Sequence, residues 1–178
     1  MNLSKYKACI CEGSAEKAII NILLDNDMLI FSRNELIEYE VLSCRGAKAF
    51  EERYLRKTFD DKISVIRVLD SKKENFKLSK AYEQKIDVVN VITAPEIEIL
   101  VIISENKYQE FKKSKLKPSE FCKQRLKMPK VKNYDSVMKY FSDVQKLIEA
   151  IKGYKRLVNQ SKGVYSLLDL LKNQTTID

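Results

Sequence analysis

The chain has no histidine and no tryptophan, only four glycines and three prolines, and no long hydrophobic run. Each shortage closes off a group of readings. Without histidine there is no Ser-His-Asp triad, no Cys-His pair, no zinc-protease helix and no His-based nuclease centre. Any acid–base or metal chemistry must rest on carboxylates, Lys, Tyr or Cys. Scarce Gly and Pro argue against a turn-rich β-sandwich and for helices joined by strands. The longest apolar run, Ile97 to Ile103, still contains Glu98 and falls far short of the roughly 20 residues that span a bilayer. The segment Met1 to Lys7 is polar, so no secretory h-region is expected and a cytoplasmic, membrane-free setting is.

Cysteine is also sparse: Cys9, Cys11, Cys44 and Cys122, with no Cys-x-x-Cys. The Cys9-x-Cys11 pair is expected to send its thiols to opposite faces of a strand and so not to chelate one ion. All four read as reduced thiols in a cytosolic protein. What remains is a globular composition. Apolar residues make up 44% and charged residues 33% of 178 residues, enough for one compact domain.

The charge is uneven. Residues 1–100 carry 16 basic and 17 acidic side chains, a net of −1, and residues 101–160 carry 15 basic and 6 acidic, a net of +9. That asymmetry reads either as a neutral scaffold joined to a polyanion-binding surface or as solvated helix faces.

Patterning predicts strands over 6–12, 38–44, 63–69 and 88–92. Helices are expected over 15–26, with Ser14 as N-cap, over 47–58, and briefly near 78–84. Thr93-Ala94-Pro95-Glu96 has the form of a capping box opening a helix to about residue 113. Further helices are expected from 118, over 135–154 with Val137, Met138, Phe141, Val144, Leu147, Ile148 and Ile151 on one stripe, and over 164–171. Strand and helix alternate through the first 92 residues, which predicts a largely parallel sheet. The rest is helical.

In an open α/β sheet, sites form beyond the carboxyl ends of the strands. Glu12 closes the first strand and Asp70 the third. Carboxylates so placed are natural ligands for Mg²⁺. Each also has a structural reading: Glu12 beside a helix N-terminus, Asp70 as a loop cap, Glu96 in the capping box, Glu16 in an ion pair. Glu98 lies either on the solvent side of its helix or among apolar neighbours as a buried acid.

Three segments together resemble TOPRIM-like proteins of the RloB type. Glu12-Gly13-Ser14-Ala15-Glu16-Lys17 is similar to the family's E-G-x-T-E-K opening. Val65 to Asp70 (VIRVLD) resembles its apolar strand ending in Asp, and Thr93 to Ile103 (TAPEIEILVII) its turn into an apolar helix that begins with Glu. The resemblance covers about residues 6 to 115. It implies an α/β domain over 1–113, with a mostly parallel four-stranded sheet flanked by helices. A basic, all-helical extension over 114–178 would pack on the same domain.

The superfamily includes topoisomerases, primases and overcoming-lysogenization-type nucleases, and RloB-like members are associated with anti-phage loci. The implied activity is Mg²⁺- or Mn²⁺-dependent hydrolysis of a nucleic-acid phosphodiester in defence. Asp70 would hold the metal, Glu12 would act as a second ligand or as general base, and Glu98 would match the family's helix glutamate as a third catalytic acid. The family's Asp belongs to a D-x-D pair, and here Lys72 stands in the second place. Lys72 either weakens the metal site or contacts a phosphate. A weakened site leaves a module that binds nucleic acid, DNA or RNA, or a partner protein of a defence complex.

The basic run supplies the other candidates: Lys112, Lys113, Lys115, Lys117, Lys123, Arg125 and Lys127. Phe121, Tyr134 and Tyr140 are interleaved with it. Cations with nearby aromatics suit phosphate contacts and base stacking, while some of these rings are needed to pack the helices. No sequence-reading motif accompanies them.

Overall fold

The segment Ile63–Leu69 (ISVIRVL) is buried at every position. A strand covered on both faces reads as a continuous apolar run, and it is the signature of a parallel sheet between helical layers. The computed structural model, which describes residues 1–44, 46–70, 75–93, 97–157 and 164–172, has this arrangement. The sheet is parallel, open and three-stranded: β1 (Tyr6–Cys11), β2 (Ile63–Leu69) and β3 (Ile86–Ile92), in that spatial order. Cys11 stands opposite Val68, and Leu69 opposite Ile92.

The pleat sorts the core into two layers. Cys9, Cys11, Ile66, Val68 and Val91 face α1 (Ser14–Asp25), α3 (Ile99–Ser104), α5 (Pro118–Gln124), α6 (Tyr134–Tyr140) and α7 (Val144–Leu157). Ala8, Ile10, Ile63, Val65 and Ile86 face α2 (Ala47–Tyr54) and its Phe50. α4 (Tyr108–Ser114) lies between α3 and α5 and buries no residue fully. The helices on both sides of residue 113 thus share one core. α3 and α7 meet closely at Gly153, where an added Cβ would lie 3.0 Å from Ile103 Cγ2.

The expected fourth strand is not formed. Leu36 bridges Lys7 and Leu42 bridges Ile10, both in the parallel sense. The chain thus advances six positions from Leu36 to Leu42 while β1 advances three, so the segment bulges outward. Glu38 and Tyr39 take left-handed backbone there (φ 59° and 56°), which no strand accommodates. Leu42 still pairs locally: its N–H donates to the Cys9 carbonyl at 2.8 Å, and its carbonyl accepts from Cys11 N–H at 3.0 Å. The outer edge of β1 is therefore covered by an interrupted extended segment.

Two long helices are each divided. The one expected to 113 splits into α3 and α4 around Asn106, which is left-handed (φ 57°). The one over 135–154 splits into α6 and α7 after Phe141. Gly13 rather than Ser14 caps α1. Thr93 spends its hydroxyl on the Leu69 carbonyl at 3.0 Å, and the remainder of the supposed capping box, 94–96, lies outside the described residues. The last expected helix is one 3₁₀ turn, Leu167–Leu170.

Gly46, the N-cap of α2, has φ 83° and ψ 152° with open space around its α-carbon. Only glycine occupies that region without strain. Gly46→Ala is expected to lower stability by about 1–3 kcal/mol, read as a shift in urea midpoint with unchanged slope. An unchanged midpoint would show that this turn relaxes freely.

Candidate functional site

Parallel strands bring all their carboxyl ends to one edge of the sheet. Extending the β1–β2 register by one residue sets Glu12 beside Leu69, one residue short of Asp70. Thr93, just past β3, is pinned to the same edge, since its N–H also donates to the Leu69 carbonyl at 2.8 Å. Glu12 is half-buried and Asp70 is exposed.

Two further acids reach this edge from the helices. Glu16 lies in the first turn of α1 and is only 9% exposed. Its carboxylate folds back over Gly13, where an added Cβ would lie 2.1 Å from Oε2, and it accepts from its own backbone N–H. Glycine is needed at position 13 for that close approach. Glu98 is the N-cap of α3. Its carbonyl accepts from Val101 and Ile102 N–H at 3.1 and 3.2 Å. Its side chain is 2% exposed, which settles the two readings of Glu98 in favour of the buried acid.

A cation comes to this buried acid from the α5–α6 loop. Lys132 Nζ lies 3.0 Å from Glu98 Oε1, although Lys132 itself is 60% exposed. A long lysine stem can keep such an exposed root and still deliver its charge inward. Burial raises the Glu16 pKa above its ordinary 4.5, and the negative charges of Glu98 and Asp70 raise it further. Its own N–H and Lys132 oppose that rise. Glu16, Asp70, Glu98 and Lys132 therefore form one electrostatic cluster at the carboxyl edge.

The cluster as arranged does not fit a resident Mg²⁺ or Mn²⁺. Among the described residues no three Cys, Asp or Glu side chains are grouped to hold a metal ion. The Glu98 oxygen faces an ammonium, and the Glu16 carboxylate is turned onto its own amide. Nor do the cysteines offer a site. Cys9 and Cys11 lie on the same face of β1, correcting the expectation that they diverge: two residues are one full strand period. Burial, and then contact with Cys9, pushes the Cys11 thiol well above its usual range, leaving it an inert core group.

Sequence reasoning named Glu12, Asp70 and Glu98 and gave Glu16 a structural role; the structure puts Glu16 inside the cluster. The only sequence signal for it was its place in EGSAEK. Nothing marked Lys132 out from its basic neighbours. Lys72 lies outside the described residues.

The basic run is solvent-facing. Lys112, Lys113, Lys115, Lys117, Lys123, Arg125 and Lys127 are all exposed. The interleaved aromatics are not a stacking platform. Phe121 is fully buried with its ring edge-on to Phe111 at 5.5 Å. The Tyr134 hydroxyl accepts from Asn21 Nδ2 at 3.0 Å. Tyr140 donates to Glu105 and carries the Lys146 ammonium 3.7 Å from its ring centre. Comparison with protein-family models, with curated proteins and with solved structures gives no match.

Two outcomes follow for these side chains. Phe121→Ala removes a core ring and is expected to lower unfolding free energy by about 3–5 kcal/mol, measured by chemical denaturation. Glu16 has the opposite character. Its raised pKa means the folded state holds the proton more tightly, so stability falls as pH rises from below 4.5 through the folded pKa. In Glu16→Gln that loss is absent, so the variant gains on the wild type across that window in thermal melts. A pH-independent difference would remove the electrostatic account.

Proposed function

We propose that the chain is a TOPRIM-like, RloB-type protein that binds nucleic acid through its basic helical surface, in the setting of anti-phage defence. Its carboxylate edge is held closed by a lysine. The single observation that carries this is the Lys132–Glu98 contact at 3.0 Å, which puts an ammonium on one of the acids the implied activity would use. The exposed run from Lys112 to Lys127 supports it, because cations that release counterions from phosphate supply sequence-independent affinity. The burial and pairing of the interleaved aromatics argue for backbone contacts rather than stacking along that run.

A second reading is metal-dependent hydrolysis of DNA or RNA phosphodiesters, with Glu12 and Asp70 at the metal and Glu98 as a further acid. The convergence of Glu16, Asp70 and Glu98 favours it. One set of measurements separates the two.

Labelled single- and double-stranded DNA and RNA are titrated by anisotropy over a salt series and assayed for cleavage with Mg²⁺ or Mn²⁺. Wild type and Asp70→Asn are expected to bind alike and to leave the strands intact. Lys112→Glu with Lys113→Glu and Lys123→Glu is expected to weaken binding at least tenfold. It is also expected to flatten the salt slope by about 0.9 for each phosphate no longer neutralised. Cleavage by wild type that Asp70→Asn abolishes would transfer the conclusion to the second reading. Absence of salt-dependent binding to every strand would overturn the first.

A further inference from the structure

A cavity of about 530 Å³ opens between α3, the loop that follows α5, and α6. Val101, Met128, Pro129, Val131 and Val137 make its walls, with Tyr140 at one end. The volume lies within the roughly 300–1,000 Å³ typical of small-ligand pockets, which are mostly apolar with a few polar groups at the rim. Here the rim groups are cationic: Lys130 and Lys139, both exposed. An apolar slot with a cationic mouth fits a ligand with an apolar body and an anionic end.

The position of the slot narrows the ligand. Val131 adjoins Lys132 in the chain. Val101 lies three residues from Glu98, one turn along the start of α3. The residues of the Lys132–Glu98 pair are thus chain neighbours of two residues that line the slot. The exposed run Lys123, Arg125 and Lys127 leads along the chain directly into the loop. Lys130 continues that exposed run in the chain and lines the slot. Every nucleobase has a π-face that an apolar wall accepts without regard to sequence.

We propose that this slot takes one unpaired nucleobase of a single strand, whose flanking phosphates rest on Lys130 and Lys139. The inference rests on the nucleic-acid reading above and adds to it a base-binding subsite. It places the base against the apolar walls of this pocket, of which Tyr140 is one member, rather than on Phe121 or Tyr134.

The test compares a ten-nucleotide oligothymidylate with an abasic deoxyribose-phosphate strand of the same length. Binding is read by anisotropy, and the slot by the ¹³C-methyl resonance of Met128, assigned with Met128→Leu. The chain has only four methionines, so that signal is well isolated. The thymidylate strand is expected to bind about tenfold more tightly than the abasic strand, the scale of one stacked base, and alone to shift Met128. Ser136→Trp, which fills the slot from α6, is expected to bring the thymidylate strand down to the abasic affinity and to leave the abasic strand unchanged.

Equal affinities with a motionless Met128 would overturn the subsite while leaving nucleic-acid binding intact. A Met128 shift produced by decanoate or an apolar peptide, and not by the thymidylate strand, would overturn the choice of ligand. Failure of both strands to bind would remove the nucleic-acid reading and this inference with it. The comparison of the two strands on wild type stands even if Ser136→Trp does not fold.

Discussion

Everything in this molecule depends on burying β2 from both sides. A strand with no solvent face needs a layer above and a layer below, and each buried Val or Ile side chain contributes about 1.5–3 kcal/mol only if the layer is complete. α2 with Phe50 completes one side. The other needs more surface than α1 can supply, and α3, α5, α6 and α7 fill it with Ile99 to Ile102, Phe121, Val137, Phe141, Leu147 and Ile151. The basic helical half is therefore part of the sheet's own core. Parallel pairing follows from covering helices on both faces, and it sends every strand's carboxyl end to one edge.

That edge sets an electrostatic problem. An isolated carboxylate as buried as Glu98 costs several kcal/mol in real proteins. Lys132 answers it from outside, through a flexible stem rooted in solvent. Glu16, nearly as buried, is answered differently: it draws on its own amide and holds its proton more tightly. One loop lysine thus ties the charge balance of the sheet edge to the α5–α6 connection, which together with α3 and α6 walls the apolar slot.

The opposite end of the sheet shows the same economy of charge. Lys7 is nearly buried on β1 and meets Glu35 at 2.7 Å. The Lys7 contact holds the Glu35 carboxyl below its ordinary range, so its contribution is present above that range and fades as pH falls, opposite in sign to Glu16. Glu35 also accepts from the Ser32 N–H and hydroxyl. This anchors the start of the segment that covers the β1 edge, where an open row of backbone groups would otherwise invite pairing with another chain.

The amino-acid sequence by itself determined the elements whose signal is local. β2 was legible at its true bounds, because seven successive residues suited to a buried strand have no other good use. α1, the start of α2 and the parallel sense of the sheet were legible from local patterning too, and so was the placement of Asp70 at a strand end. Tertiary structure decided the rest. The segment 38–44 has strand propensity, yet two left-handed residues turn it into a bulge, a choice made by what lies against β1. α3 and α4, and α6 and α7, have continuous helical periodicity but break where the chain must turn to close over the sheet. The standing of Glu16, the burial of Glu98 and the choice of Lys132 among many lysines depend on groups 34 to 116 positions apart in the chain. Periodicity reports which face of an element is apolar. It carries no information on which distant charge will meet another once those faces are packed.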